Sequence, residues 1–224
     1  MAGRLITEFI GTFFLVLTIG LTVLIGTDFA PIAIGFMLVA LVYMGGHVSG
    51  AHYNPAVTLA VWMRGNLETR EVGPYMGVQI LAAAAAALVA FVINDRPLQV
   101  MPATEIGTAE TIVATIGLGE FFLLELLFTF ALVMVILNVA TSRDHENNQF
   151  YGLAIGLTVM AGAFAAGPIS GGAFNPAVAI GPILVDLIVG DGASLSGLWV
   201  YLVATFAGGA LAALVFKAQS PNDA

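Results

Sequence analysis

The chain contains no cysteine, which excludes disulfides and thiol chemistry and leaves the redox compartment unmarked. Charge is nearly as scarce. Only 9% of the 224 residues are Asp, Glu, Lys or Arg, against about 25% in an ordinary soluble domain. A surface with so little charge cannot all face water, so most of it must face lipid. The net charge of −8 gives no reason to expect a nucleic-acid partner. Also missing are a P-loop, a Gly-x-Ser-x-Gly elbow and any metal-ligand spacing, so neither a cofactor nor a metal is expected. Apart from Glu8, Glu120 and Glu125, the apolar stretches carry no cluster of groups suited to acid–base or nucleophilic chemistry, and the chain does not read as an enzyme.

What is abundant is hydrophobicity, at 59% of residues with a mean hydropathy of +1.00. Six long apolar segments stand out, at about 5–25, 30–46, 74–93, 121–140, 151–167 and 198–216, each near the ~20 residues a helix needs to cross the hydrocarbon core. The first is too long for the roughly 7–15-residue core of a signal peptide and has no small-x-small cleavage site after it, so it reads as a retained span. Two shorter apolar pieces, at about 55–63 and 176–188, follow Gly-rich sequence and cannot span. Pieces of that kind enter a membrane only where protein or a water-filled cavity satisfies their backbone.

The six Lys and Arg residues predict the orientation. With the N-terminus cytoplasmic, Arg4, Arg64, Arg70, Arg143 and Lys217 lie inside and only Arg96 outside, as the positive-inside rule requires. Both termini are therefore expected to be cytoplasmic, in a cell (inner) membrane. Asp28, Asp95, Glu105, Glu110 and Asp191 fall in or near outer segments and read as solvated loop acids, with weak enrichment of cations at the outer mouth as the alternative.

An internal repeat organises the chain. Ile32-Ala33-Ile34-Gly35 recurs 121 positions later as Leu153-Ala154-Ile155-Gly156, and the twelve residues from Gly46 to Val57 recur at the same displacement from Gly167 to Val178. Glu8, Thr12 and Phe13 recur 117 positions on as Glu125, Thr129 and Phe130. The expected architecture is all-α: one channel domain over 1–224, built from repeats at about 1–100 and 115–220, each with three spans and one short piece. Three is odd, so the second half is inverted, and a functional site is expected near the midplane between the halves.

Asn54-Pro55-Ala56 and Asn175-Pro176-Ala177 stand at equivalent places in the repeat, each where a short helix would begin. Asn is a favoured N-cap, and Pro suits the first helical position, where no N–H is needed. Two such half-helices entering from opposite faces meet N-terminus to N-terminus. Each end carries roughly half a positive charge, which opposes cations, hydronium included, while the amides still donate to neutral solutes.

On these motifs the chain resembles the aquaporin, or major intrinsic protein, family. The lead-in from Gly46 to Tyr53, Gln79, and Gly208-Gly209 add to the likeness, which runs from Glu8 to Lys217. The resemblance implies an hourglass of six spanning helices and two re-entrant half-helices, a pore in each subunit and a homotetramer. It also implies that Glu8 and Glu125 accept hydrogen bonds from the re-entrant loops. His47 and His52, placed in the first such loop, would line or brace the inner vestibule. Glu120 has no repeat partner and is expected at an interface.

One departure matters. Most of the family has Arg after the second Asn-Pro-Ala, whereas this chain has Val178, and the Asp that follows in glycerol-passing members is here Ala179. Matching positions of the outer constriction are Ile34, Ala163, Gly172 and Val178, a set with no aromatic and no charge. A wider, apolar filter follows, relying on backbone carbonyls for hydrogen bonding. The expected solutes extend beyond water to urea, ammonia, small polyols or neutral metalloid hydroxides. Competing readings are a strict water channel, an ion-coupled secondary transporter using Glu8 and Glu125, and an adhesive membrane-junction protein. The Ala82–Ala87 run suggests close helix packing, the 95–110 segment an irregular loop over the outer mouth, and the tail at 220–224 is too short to assign.

Overall fold

A computed structural model describes residues 1–108 and 111–223 of the chain. Among the described residues eight α-helices follow in order: α1 (Ala2–Leu24), α2 (Ala30–Ser49), α3 (Pro55–Arg64), α4 (Thr69–Asn94), α5 (Leu118–Ile136), α6 (Tyr151–Ser170), α7 (Pro176–Val189) and α8 (Leu198–Gln219). Among the described residues six helical segments are long and apolar enough to cross a bilayer, while α3 and α7 are the short ones. Alternation of the long helices places both termini on one face, here the terminal face, and the ends of α1, α4 and α7 on the other, the distal face. The protein is an integral, multi-pass membrane protein.

Several helices run further than their apolar residues suggest. The α2 helix passes through Gly45 and Gly46 and ends at Ser49, because its stop signal is Gly50 in the left-handed conformation, φ 87°. The α6 helix does the same at Gly171, also φ 87°, passing through Gly167 and Pro168 on the way. Beyond α5, Leu137–Thr141 forms a π-helical turn. On the distal face, β1 (Glu105–Thr108) pairs antiparallel with β2 (Thr111–Thr115) where an irregular loop is expected from the sequence. Glu110 lies outside the described residues. Asp191 is not simply solvated: its Oδ1 accepts from Gln99 Nε2 at 2.7 Å and from Ala193 N–H at 3.0 Å, which ties the 95–101 segment to the end of α7.

Glycine and alanine set the helix spacing. The α2 and α6 helices cross where the repeated Gly35 and Gly156 meet: a Cβ at Gly35 would lie 2.9 Å from the Gly156 carbonyl oxygen, and one at Gly156 would lie 2.5 Å from that of Gly35. Ala82, Ala83, Ala86, Ala87 and Ala90 are fully buried. A Cβ at Gly181 of α7 would lie 2.5 Å from Ala83, and one at Gly20 of α1 would lie 2.8 Å from Ala90. The alanine run is thus the face on which α1 and α7 pack. Lipid tails supply no hydrophobic drive between helices, so such backbone approach is what association in a bilayer relies on. Larger apolar residues are exposed instead, among them Phe36, Leu81, Leu127 and Leu214.

Ion pairs gather on the terminal face. Arg4 Nη1 donates to both oxygens of Glu71, at 2.6 and 2.7 Å. Arg64, at the end of α3, pairs with Asp223 at 3.0 Å, and the Arg143 N–H donates to the same carboxylate at 3.1 Å. Hydrogen bonding from Ser142, then from Arg143, together with the Arg64 charge, holds the Asp223 carboxyl below its ordinary range. The tail is therefore a clip that joins α3 to the segment after α5, a role its five residues do not advertise.

Overpacking the α2–α6 crossing tests this account. Gly156→Val should lower stability in detergent by about 1–3 kcal/mol or more, read as a reduced thermal midpoint, while Gly73→Val, where a Cβ meets nothing, should change it far less.

Candidate functional site

The site is built from two loops, residues 50–54 and 171–175, that break left-handed and then start α3 and α7. Their backbones match position by position. Gly50 and Gly171 share φ 87°, Ala51 and Gly172 have φ 52° and 62°, and Tyr53 and Phe174 have φ 50° and 49°. For Ala51, Tyr53 and Phe174 the left-handed region costs about 1–2 kcal/mol each, so something must hold them.

Two buried carboxylates do. Glu8 Oε1 accepts from Ser49 Oγ at 2.7 Å and His52 N–H at 2.9 Å, and Oε2 accepts from Tyr53 N–H at 2.7 Å and Gln79 Nε2 at 2.8 Å. Glu125 repeats the pattern with Ser170 Oγ at 2.7 Å, Ala173 N–H at 3.1 Å and Phe174 N–H at 2.8 Å. Both side chains are fully buried. Tyrosine hydroxyls brace the loops from behind: Tyr75 donates to the Ser49 carbonyl at 2.9 Å and Tyr201 to that of Ser170 at 2.5 Å. Ser49, Ser170, Tyr75, Tyr201 and Thr58 are positioning residues the sequence reading does not single out. The two serines lie inside the repeat, and that repetition is the signal that could have found them.

The two Asn-Pro-Ala motifs come together. Asn54 and Asn175 cap their helices, each Oδ1 accepting from the N–H two residues on, at 2.8 and 2.9 Å, with Pro55 and Pro176 in the first turn and Ala56 and Ala177 buried behind them. Each amide nitrogen then crosses to the other loop. Asn54 Nδ2 donates to the Phe174 carbonyl at 2.9 Å, and Asn175 Nδ2 donates to the Tyr53 carbonyl at 2.8 Å. An amide nitrogen has two protons. Among the described residues each makes this one contact, so one N–H apiece is left for a guest.

Both Asn residues line a cavity of about 640 Å³ that reaches the distal face past Thr27, Asp28 and Met101. Ile34, Ala163, Gly172 and Val178 all line it, from four separate elements, together with His52, Tyr53, Ala173 and Phe174 of the loops. Leu, Ile and Val make up much of its wall, and its polar groups are the two Asn amides, the loop backbone and His52, with Thr27, Asp28 and Gln99 towards the distal end. Between the facing N-termini of α3 and α7 the potential is positive, each end contributing roughly half a charge.

One expectation needs correcting. His47 is not in the re-entrant loop but in the last turn of α2, exposed, and it lines a second cavity opening on the terminal face. The reason is the late stop at Gly50: Gly45 and Gly46 stay helical and serve close approach, since a Cβ there would strike Tyr53 and crowd Tyr151. His52 is in the loop and buried, with Nδ1 3.1 Å from Thr58 Oγ1 and its ring against Tyr75. Glu120, in the first turn of α5, is exposed on the single chain and accepts from the Gly117 N–H at 3.1 Å, closing the helix start.

The family described as "Major intrinsic protein" matches residues 1–216. A Lactiplantibacillus plantarum protein named Glycerol uptake facilitator protein-like 6 is 39% identical over 98% of this chain and 99% of its own length. Aquaporin NIP1-4 of Oryza sativa subsp. japonica is 36% identical over 95% of this chain and 75% of its own. The crystal structure of the aquaglyceroporin from Plasmodium falciparum superposes with a TM-score of 0.78, covering 99% of this chain and 98% of that one at 23% identity, a likeness of fold.

Replacing one carboxylate tests the loop geometry. Glu125→Gln keeps the size but turns an acceptor into a donor facing N–H groups. It should cost about 2–4 kcal/mol, seen as a lower thermal midpoint, with solute flux reduced.

Proposed function

The chain belongs to the major intrinsic protein family, and from that premise we propose that its paired Asn54 and Asn175 form the midplane of a pore admitting solutes larger than water. Passive passage of water or small solutes, without chemistry, is what the family does. Our finer reading takes Ile34, Ala163, Gly172 and Val178 as the outer filter, Glu8 and Glu125 as the supports of both loops, and residues 1–224 as one channel domain with repeats near 1–100 and 115–220.

The observation that carries the reading is the lining of the cavity at Ile34, Ala163, Gly172 and Val178. None of these four side chains is charged or aromatic, so none narrows the lumen or donates hydrogen bonds as a guanidinium at Val178 would. Small apolar side chains leave width; the loop carbonyls and the spare Asn protons supply partners. Urea, ammonia, small polyols and neutral metalloid hydroxides fit that chemistry, and similarity to a protein named as a glycerol uptake facilitator favours the polyols. Ions are opposed twice, by the facing helix N-termini and by the cost of shedding water among methyl groups. Four subunits, each with its own pore, are the assembly this reading adopts.

Stopped-flow light scattering on proteoliposomes tests the solute range. Wild type should pass glycerol and urea as well as water, and Val178→Arg should depress the larger solutes more than water. Passage of water alone, or equal depression of all rates, would contradict the wide filter.

Orientation is proposed from the cations: Arg4, Arg64, Arg70, Arg143 and Lys217 share the terminal face and Arg96 is distal, so the terminal face is cytoplasmic. The absence of cysteine makes the test direct. A membrane-impermeant thiol reagent should label Ser196→Cys in intact cells and Glu146→Cys only after permeabilisation. The reverse pattern would invert the assignment.

A further inference from the structure

The proposed outer filter has a counterpart within the same pore. Displacing each of its positions by 121 gives a second set: Ile34 corresponds to Ile155, Ala163 to Val42, Gly172 to Ala51 and Val178 to Val57. An inverted repeat carries a ring on one side of the Asn pair to the other side. The structure contains an independent sign that the pore closes down there. The main cavity and the second one, also about 640 Å³ and open to the terminal face, have four lining residues in common: Val42, Ala51, Ile136 and Ile155. Three of the four are the repeat mates of Ala163, Gly172 and Ile34. The fourth, Ile136, corresponds at the 117-residue displacement to Ile19, which lines the main cavity.

We propose that Val42, Ala51, Ile136 and Ile155 form a second selectivity constriction between the Asn pair and the terminal face, and that it, rather than the outer filter, limits the size of the solute. This inference rests on the channel reading above. The two rings are matched at Ile155 and Ile34, while Val57, the repeat mate of Val178, lines the main cavity alone and Ile136 takes the fourth place. Where they differ, the terminal-side ring is the bulkier, with Val42 in place of Ala163 and Ala51 in place of Gly172. Its members are firmly packed, between 3% and 9% exposed, and come from α2, the first re-entrant loop, the end of α5 and α6. The ring cannot widen without moving several elements. Ile136 is the last residue before the π-helical turn, and two residues beyond that turn Arg143 is bonded to Asp223. No side chain in the ring bears a polar atom. A solute must pass it with only backbone oxygens as partners, which favours small neutral molecules with few hydrogen-bonding groups and a narrow cross-section.

Proteoliposomes of wild type, Val42→Ala and Ala163→Val, each checked for an unchanged gel-filtration profile and helical content, separate the two rings. Val42→Ala should raise glycerol and urea rates about tenfold, the discrimination a methyl or two supplies in an apolar site, with water rising much less. Ala163→Val should lower them only modestly, because it adds a barrier no higher than the one already present. If Val42→Ala misfolds, Ile136→Val makes the same test with the same expected direction. Unchanged glycerol and urea rates in the folded variant, or a block of glycerol by Ala163→Val, would overturn the constriction while leaving the channel intact. Wild-type vesicles no more permeable than empty ones would remove the channel reading, and this proposal with it.

Discussion

The geometry of this pore depends on two carboxylates buried where a bilayer would least welcome them. Taking a carboxylate out of water costs several kcal/mol even after relaxation, and an ionisable group inside a span normally marks a function. Here the cost is offset by convergent donors. Glu8 receives four hydrogen bonds and Glu125 three, each set including a serine hydroxyl and two consecutive loop N–H groups. Those bonds fix residues that would otherwise leave the left-handed region, and the fixed loops turn their backbone to the cavity. Remove the carboxylate and neither the strained residues nor the orphaned N–H groups have a reason to stay.

From that anchoring the rest follows in order. Held loops place Tyr53 and Phe174 so that their carbonyls accept from Asn175 and Asn54. The two bonds are reciprocal, so the half-helices lock to each other across the pseudo-twofold axis rather than only to their surroundings. Small residues let the scaffold close around them: Gly35 against Gly156, Gly181 against the alanine run, and Gly209, where a Cβ would lie 2.8 Å from the Ala56 carbonyl oxygen. The result is a fixed positive potential at the midplane with spare amide protons beside it. That combination suits neutral polar guests and opposes cations.

The sequence disclosed what is periodic or repeated. Hydropathy placed six spans, the 121-residue repeat paired the motifs, and Asn-Pro-Ala located the helix starts. What stayed hidden is what depends on partners far along the chain. Gln79 binding Glu8 and Tyr201 binding Ser170 are long-range contacts that leave no local pattern. Helix ends are not legible where glycine normally stops a helix, because Gly45 and Gly46 are there for close approach to Tyr53 and Tyr151 rather than for a turn. Asp223 was unreadable for another reason: a single acid in a short polar tail acquires meaning only when folding brings Arg64 and Arg143 to it.

Amide hydrogen exchange in lipid probes the anchoring most directly. The N–H groups of His52, Tyr53, Ala173 and Phe174 lie in loops beside a cavity, yet the account predicts exchange as slow as that of helical amides. In Glu125→Gln the Ala173 and Phe174 amides should exchange much faster while His52 and Tyr53 stay protected. Fast exchange at all four in the unaltered protein would contradict it, since the loops would then be held by something other than the two carboxylates.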